Sequence, residues 1–182
     1  MTTLNLLRRR QSPIDIDAKS AVSTTINPLS FSEHYGHIPE NIELSISNQG
    51  FTIIPSYKEH NKPNIVGGPL DTAYELQQFH LHWGSGHKDE AVNLINKDRS
   101  DRTVPLTTKF PMNEIIKPFS SNYYTYDGSW TTPPFTENVT WLIPTEILTF
   151  PKEYLKSFRK ITASNRRELQ DRYDRKILHA LN

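Results

Sequence analysis

The sequence predicts a mainly β (α+β) domain built from short strands, with only short peripheral helices. Thirteen prolines and seven glycines are spread along the 182 residues, a distribution that favours short strands and turns over long helices. Several short runs alternate apolar and polar residues, which is the period of a half-buried strand. The sequence contains no internal repeat, low-complexity segment or linker-like stretch, so residues 1–182 are interpreted as one domain.

The predicted strands follow one another along the chain. Residues 41–46 alternate apolar and polar side chains, an Asn-Gln-Gly turn at 48–50 ends this strand, and residues 51–54 return as its partner. A Gly-Gly-Pro turn at 67–69 leads into a predicted continuous strand over residues 74–83. Residues 123–126 are a predicted strand that ends in an Asp-Gly turn at 127–128. Residues 139–143 are another, interrupted by Pro144.

Three stretches are predicted to be helical. Residues 90–96 and 112–116 each fit one or two helical turns. Residues 151–161 fit a surface helix, because Pro151 suits a first turn and apolar residues recur at helical spacing after it. These apolar side chains are interpreted as facing the core; they are Tyr154, Leu155, Phe158 and Ile161.

Composition excludes several classes of protein. The net charge is +1, which gives no electrostatic reason to expect nucleic acid or a membrane surface as a partner, and no apolar run approaches a membrane span. Residues 1–7 are too few and too polar for a signal peptide, so a cytoplasmic location is expected, and the chain is expected to be a monomer. Cysteine is absent, which excludes disulfides and thiolate chemistry. Any metal must therefore be held by His, Asp or Glu.

The strongest chemical signal is the pair His80 and His82 near the end of the predicted strand 74–83. Successive side chains of a strand alternate faces, so both imidazoles would point the same way. Phe79, Leu81 and Trp83 would then line the opposite face and pack into a core. Two imidazoles on one strand face supply two-thirds of a three-histidine zinc site with an open fourth position. The spacing also occurs by chance in ordinary strands.

Four blocks of sequence together resemble the α-class carbonic anhydrases. They are Gln-Ser-Pro-Ile-Asp-Ile at 11–16, the stretch from Gly-Gly-Pro-Leu at 67–70 to His-Leu-His-Trp-Gly at 80–84, Tyr-Tyr-Thr-Tyr-Asp-Gly-Ser-Trp-Thr-Thr-Pro-Pro at 123–134, and Glu-Asn-Val-Thr-Trp at 137–141. The ending at 165–170 is a looser match. The resemblance implies a twisted, mostly antiparallel central sheet with a conical cleft that reaches zinc. It also implies reversible hydration of carbon dioxide to bicarbonate.

The resemblance assigns roles to individual residues. His80 and His82 would be two of three zinc ligands. Thr131 would orient a zinc-bound hydroxide and Thr132 would line the site. The apolar wall that holds carbon dioxide would include two further side chains, Val139 and Trp141. Trp130 stands where the family usually has leucine beside the substrate pocket, so its bulk would narrow that pocket.

The family's third zinc ligand lies in a motif that resembles Glu-Leu-His-x-Val-His, and nothing in this sequence matches it. Only 48 residues separate His82 from Thr131, about half of what the resemblance requires for the intervening strands. The chain is therefore interpreted as internally shortened, with some central strands and the third histidine missing.

Two residues after this point could replace the missing ligand. If Gly84 and Ser85 formed a two-residue hairpin turn, His87 would face His82 across it, at a separation of about 5 Å between the two Cβ atoms. Asp89 would then lie opposite His80 as an oxygen ligand. Against this, the matching histidine of the family is structural.

The four remaining histidines have no partner at metal-ligand spacing and are interpreted as surface or core residues: His34, His37, His60 and His179.

Two other positions depart from the family. Gly86 replaces the glutamate that accepts the proton of the hydroxide-orienting threonine, and Phe51 stands where fast members carry a proton-shuttling histidine. The expected function is zinc-dependent carbon dioxide hydration that is weak or absent. The alternatives are a catalytically inactive, carbonic-anhydrase-related binding module and a truncated splice or gene-model product.

Overall fold

The computed structural model describes residues 9–47, 50–83, 102–147, 149, 151–160 and 164–181. They form mostly strands, so the predicted mainly β class is confirmed. The strands are β1 (Val22–Thr24), β2 (Leu29–Phe31), β3 (Asn41–Ser47), β4 (Gly50–Ser56), β5 (Asn64–Gly67), β6 (Tyr74–Glu75), β7 (Phe79–His80), β8 (Arg102–Pro105), β9 (Tyr123–Gly128), β10 (Val139–Pro144) and β11 (Leu178–Ala180).

The described strands form three sheets, whereas the resemblance implies one central sheet. The first sheet has the order β1-β11-β9-β10, the second β2-β5-β6 and the third β7-β4-β3-β8. Every pairing is antiparallel except that of β1 with β11. The mostly antiparallel arrangement is therefore confirmed, while strand pairing is divided among three smaller sheets.

The predicted continuous strand over residues 74–83 is wrong. Its beginning is β6, which pairs with β5 in the second sheet, and its middle is β7, which pairs with β4 in the third sheet. Residues 76–78 between them belong to neither strand. The chain leaves one sheet and enters the next across these three residues, and this crossing breaks the ladder of hydrogen bonds.

The β3–β4 hairpin confirms the strands predicted at 41–46 and 51–54. Its register runs from Asn41 opposite Ser56 to Ser47 opposite Gly50, and residues 48–49 of the predicted turn lie outside the described residues. Ile42 is 1% exposed and belongs to a core cluster with Tyr35 and Met112, against which Phe79 also packs. The hairpin therefore gives β7 a rigid support.

A second part of the core lies under the first sheet. Tyr123 and Ala180 pack with Leu29, while Tyr126 and Ile177 pack with Ile14 from the N-terminal segment; all of these are buried. The predicted turn at 127–128 is wrong, since β9 continues through both residues and pairs them with the start of β10. β10 lies at the edge of its sheet, where its terminal proline is tolerated.

Helical structure is sparse in the described ranges. The helix α1 (Lys152–Arg159) falls inside the predicted 151–161, and a 3₁₀ turn at Met112–Glu114 falls inside the predicted 112–116. Two further 3₁₀ turns are Glu33–Gly36 and Glu59–Asn61. Tyr154 is 57% exposed, so its expected core packing is wrong, and the predicted helix at 90–96 lies outside the described residues. None of the described helices is long and apolar enough to cross a membrane.

Candidate metal centre and its cleft

His80 and His82 lie beside one another at the end of β7. Their ring centroids are 4.8 Å apart and the ring planes are almost perpendicular, at 82°. His80 is held by pairing with Thr52 on β4, while Trp83 is buried. Both imidazoles line one open cleft of about 450 Å³. The backbone conformation of residues 80–82 thus places two nitrogen donors in the same cleft.

Asn165 fastens the segment that carries His82. Its side-chain amide donates a hydrogen bond to the carbonyl of Leu81 (2.8 Å) and accepts one from the backbone N–H of Trp83 (2.7 Å). Its own N–H donates to the carbonyl of Trp83 (3.1 Å), and the hydroxyl of Ser164 donates to that same carbonyl (3.2 Å). Residues 81–83 are therefore fixed without belonging to a strand.

The backbone carbonyl of Asn165 also lies 3.0 Å from Nδ1 of His82. A carbonyl only accepts hydrogen bonds, so Nδ1 must donate, and the lone pair of neutral His82 is then on Nε2. This is the arrangement by which an outer partner orients a metal-ligating histidine. In the sequence, the only signal of Asn165 is its place in the loosely matching block 165–170.

The electrostatics of His80 favour its neutral form. Burial lowers the pKa of His80 below its ordinary value, and the charge of neighbouring His82 lowers it further. A lowered pKa keeps the ring unprotonated over a wider pH range, and metal ligation requires an unprotonated nitrogen.

The segment with the predicted catalytic threonines lines the same cleft. Thr131 and Thr132 are half-buried, and Trp130 beside them is 46% exposed. The carbonyl of Thr132 accepts a hydrogen bond from the N–H of Phe135 (2.9 Å), which closes the turn. Phe51 lines the same cleft from β4. The structure therefore brings Trp130, Thr131 and Thr132 together with the histidine pair.

A buried serine pair anchors that segment. The N–H of Ser12 donates to the hydroxyl of Ser129 (2.9 Å), and the N–H of Ser129 donates to the hydroxyl of Ser12 (3.1 Å). Both serines are completely buried. The Ser129 hydroxyl in turn donates to the carbonyl of Trp130 (2.8 Å). Ser12, from the sequence block at 11–16, thus fixes Ser129, the residue that directly precedes the cleft-lining Trp130.

Val139 and Trp141 are not brought to this cleft. Neither side chain is among the described residues that line it. Trp141 lies opposite Tyr126 in the β9–β10 register, stacks on its ring at 6.2 Å, and donates from Nε1 to the carbonyl of Ser129 (3.3 Å). The placement of Trp141 is therefore that of a core side chain supporting the Ser129 anchor, and the carbon dioxide wall stays a prediction from the resemblance.

The described residues supply two of the three protein ligands that a catalytic zinc site needs. In this part of the chain, no group of three His, Asp, Glu or Cys side chains could hold a metal ion. The other described histidines lie elsewhere: His34 and His37 contact each other, His179 contacts Tyr124, and His60 is in its own 3₁₀ turn. His87, Asp89 and Gly86 lie outside the described residues.

The fold and the site define a class of protein: a mostly antiparallel β domain in which two histidines, one on a strand and one just after it, line a cleft. A family model described as "Eukaryotic-type carbonic anhydrase" matches residues 4–100 and 89–179. The chain belongs to this family. Among similar proteins, carbonic anhydrase 7 of Homo sapiens is 27% identical over 208 aligned positions, covering 84% of this chain and 77% of the relative. Mitochondrial carbonic anhydrase 5B of Mus musculus is 24% identical over 219 positions, covering 90% and 68%.

The comparisons also support the interpretation that the chain is shortened. Each alignment has more positions than the 182 residues of this chain, so each relative has residues without a counterpart here. The two matched segments of the family model overlap at residues 89–100. This stretch lies between His82 and Thr131, where the sequence lacks the third-ligand motif.

Proposed function

We propose that this chain is an impaired carbonic anhydrase, in which zinc-dependent hydration of carbon dioxide is much slower than in a complete enzyme. The observation that carries the proposal is the cleft, where the described residues present two zinc-type imidazoles and no third ligand. A catalytic zinc ion has three protein ligands and one open position. With two, retention of the metal and control of its geometry both weaken.

The rest of the cleft supports the same proposal. The half-buried Thr131 and Thr132 line the same cleft as the histidines, as expected of groups that orient a reacting oxygen. Gly86, by the resemblance, cannot accept the proton of Thr131. Phe51 lines the cleft where the resemblance places a proton-transferring histidine, and its ring carries no titratable proton. The polar side chains that position a reactant are retained, while the groups that move protons are lost.

The first test is the zinc content of the purified, dialysed protein, alongside hydration kinetics. We expect well below one zinc per chain and hydration close to the uncatalysed rate. His82→Ala should lower the residual zinc content, whereas His60→Ala, a matched histidine in a separate 3₁₀ turn, should leave it unchanged. One zinc per chain with fast hydration would overturn the proposal. Loss of that zinc in His87→Ala would then identify His87 as the third ligand, and loss in Asp89→Ala would identify Asp89.

Sulfonamide binding separates an impaired enzyme from a binding module without zinc. Arylsulfonamides bind members of this family through the metal. An impaired enzyme loaded with excess zinc should therefore bind an arylsulfonamide, and the His80→Ala/His82→Ala double variant should not. Equal binding with and without zinc would favour a cleft that recognises ligands by its walls alone.

A further inference from the structure

His34 and His37 form a second histidine pair, away from the cleft. Their Nδ1 atoms are 3.3 Å apart, and their ring centroids are 4.9 Å apart. His34 lies in the 3₁₀ turn Glu33–Gly36 and His37 follows it directly. In a 3₁₀ helix the side chains at positions i and i+3 lie above one another. The pairing therefore follows from the turn, which the sequence pattern did not reveal.

The turn that carries the pair is firmly anchored. The N–H of His37 donates to the carbonyl of His34 (2.9 Å), which closes the turn. Tyr35, between the two histidines, is buried in the core cluster, and its hydroxyl donates to the carbonyl of Ile116 (2.8 Å). Two histidines on an anchored turn lose little conformational freedom when they bind a ligand together.

The separation of the two Nδ1 atoms matches the distance between two nitrogen ligands of a tetrahedral metal ion. Zinc–imidazole bonds are about 2.0–2.1 Å long, so two nitrogens at a tetrahedral angle lie about 3.3 Å apart. His34 is half-buried and His37 is exposed, which leaves the remaining coordination positions open to water. The same distance is compatible with a hydrogen bond between two neutral rings, in which Nδ1 of one ring donates and Nδ1 of the other accepts. On metal binding, the ion would take the place of the proton in this hydrogen bond.

We propose that His34 and His37 chelate a divalent transition-metal ion of tetrahedral preference, with Zn²⁺ as the reference ion. The site is separate from the cleft, because neither residue lines it. It does not depend on the proposed function, since it involves no residue of the His80/His82 pair.

The test is a Zn²⁺ titration by calorimetry in the His80→Ala/His82→Ala background, which removes the cleft pair. At saturating Zn²⁺ we expect one bound ion per chain in this background. Loss of an outer partner alone weakens a metal site about 10- to 100-fold, so removal of a ligand by His34→Ala should weaken Zn²⁺ binding at least tenfold. His60→Ala, the matched control in another 3₁₀ turn, should leave the affinity unchanged.

A second variant distinguishes chelation from a simple hydrogen bond. His37→Gln retains a side chain that can hydrogen-bond to His34 but removes the imidazole ligand. Chelation predicts that His37→Gln weakens Zn²⁺ binding as much as His34→Ala does, and that bound Co²⁺ has the intense visible absorption of tetrahedral coordination only when both histidines are present. The proposal is overturned if His34→Ala, His37→Gln and His60→Ala, each folded by circular dichroism, bind Zn²⁺ with equal affinity.

Discussion

Nδ1 of His82 donates a hydrogen bond to the backbone carbonyl of Asn165, 3.0 Å away, although the two residues are 83 positions apart in the sequence. The same asparagine also binds the backbone on both sides of His82 through its side-chain amide. One residue from the C-terminal part of the chain therefore sets both the tautomer and the position of a candidate metal ligand.

Asn165→Ala should destabilise the protein and disorder the His82 segment. The substitution leaves the N–H of Trp83 and the carbonyl of Leu81 without their amide partner, and an unsatisfied, partly buried polar group costs about 1–3 kcal/mol. Equilibrium urea unfolding measures the loss. Asn165→Asp is the informative control, since it keeps the acceptor for Trp83 and removes the donor to Leu81. Its free energy of unfolding should fall between those of the wild type and Asn165→Ala.

Ser129→Ala should loosen the cleft wall from its anchor. The substitution removes the acceptor of the buried Ser12 N–H and the donor to the carbonyl of Trp130. We expect a loss of about 1–3 kcal/mol in the free energy of unfolding. Ser157→Ala, on the exposed surface of α1, should change it by less than about 0.5 kcal/mol. Equal thermal midpoints for the two variants would contradict a structural role for the serine pair.

Gly128→Ala should also destabilise the protein, because its Cβ would lie only 2.8 Å from Cδ1 of Trp141 and would also meet the hydroxyl of Ser12. Overpacking of this kind costs about 1–3 kcal/mol. The matched control is Gly36→Ala, whose Cβ would contact only the side-chain amide of Asn113 at 3.2 Å, a group that is free to rotate away. Chemical denaturation of the two variants should therefore give a clearly larger loss for Gly128→Ala.

Local sequence pattern predicted those parts of the fold in which neighbours along the chain are neighbours in space. The first strand of the β3–β4 hairpin has a period of two and its partner follows a short turn, and α1 has a period close to 3.6, so both were recognisable. The resemblance located the cleft residues His80, His82 and Thr131, which the structure brings together. Pattern and resemblance together therefore located the cleft and its main polar side chains.

Features that depend on distant segments were not predictable in this way. The contact between Asn165 and His82 has no periodic signature, and the break at residues 76–78 follows from a choice between two sheets. The pairing of His34 with His37 requires a 3₁₀ turn, which is too short to leave a hydrophobic period. In the first two cases tertiary packing, rather than local propensity, determined the result, whereas the histidine pairing is set by a turn of only four residues.

The acid sensitivity of the metal-free protein should depend on His80. Burial, and secondarily the charge of His82, lower the pKa of His80 in the folded protein, while the unfolded chain takes up a proton at the ordinary value of 6.5. Between these two pKa values the unfolded state binds more protons than the folded state. Stability must therefore fall as the pH is lowered through 6.5. Below the pKa of His80 in the folded protein, both states carry the proton and His80 causes no further loss of stability.

His82→Gln separates the two causes of this shift. The substitution removes the charge of His82 and keeps the burial of His80, so the pKa of His80 should rise part of the way towards its ordinary value. An NMR titration of the His80 ring proton in metal-free protein, assigned by its loss in His80→Gln, measures the change. If the pKa of His80 is the same in both proteins, the imidazoles do not interact electrostatically, and the close pair in the cleft is not formed in solution. A partial rise, together with a shallower acid limb of stability in His80→Gln, would establish that burial and the charge of His82 both lower the pKa of His80.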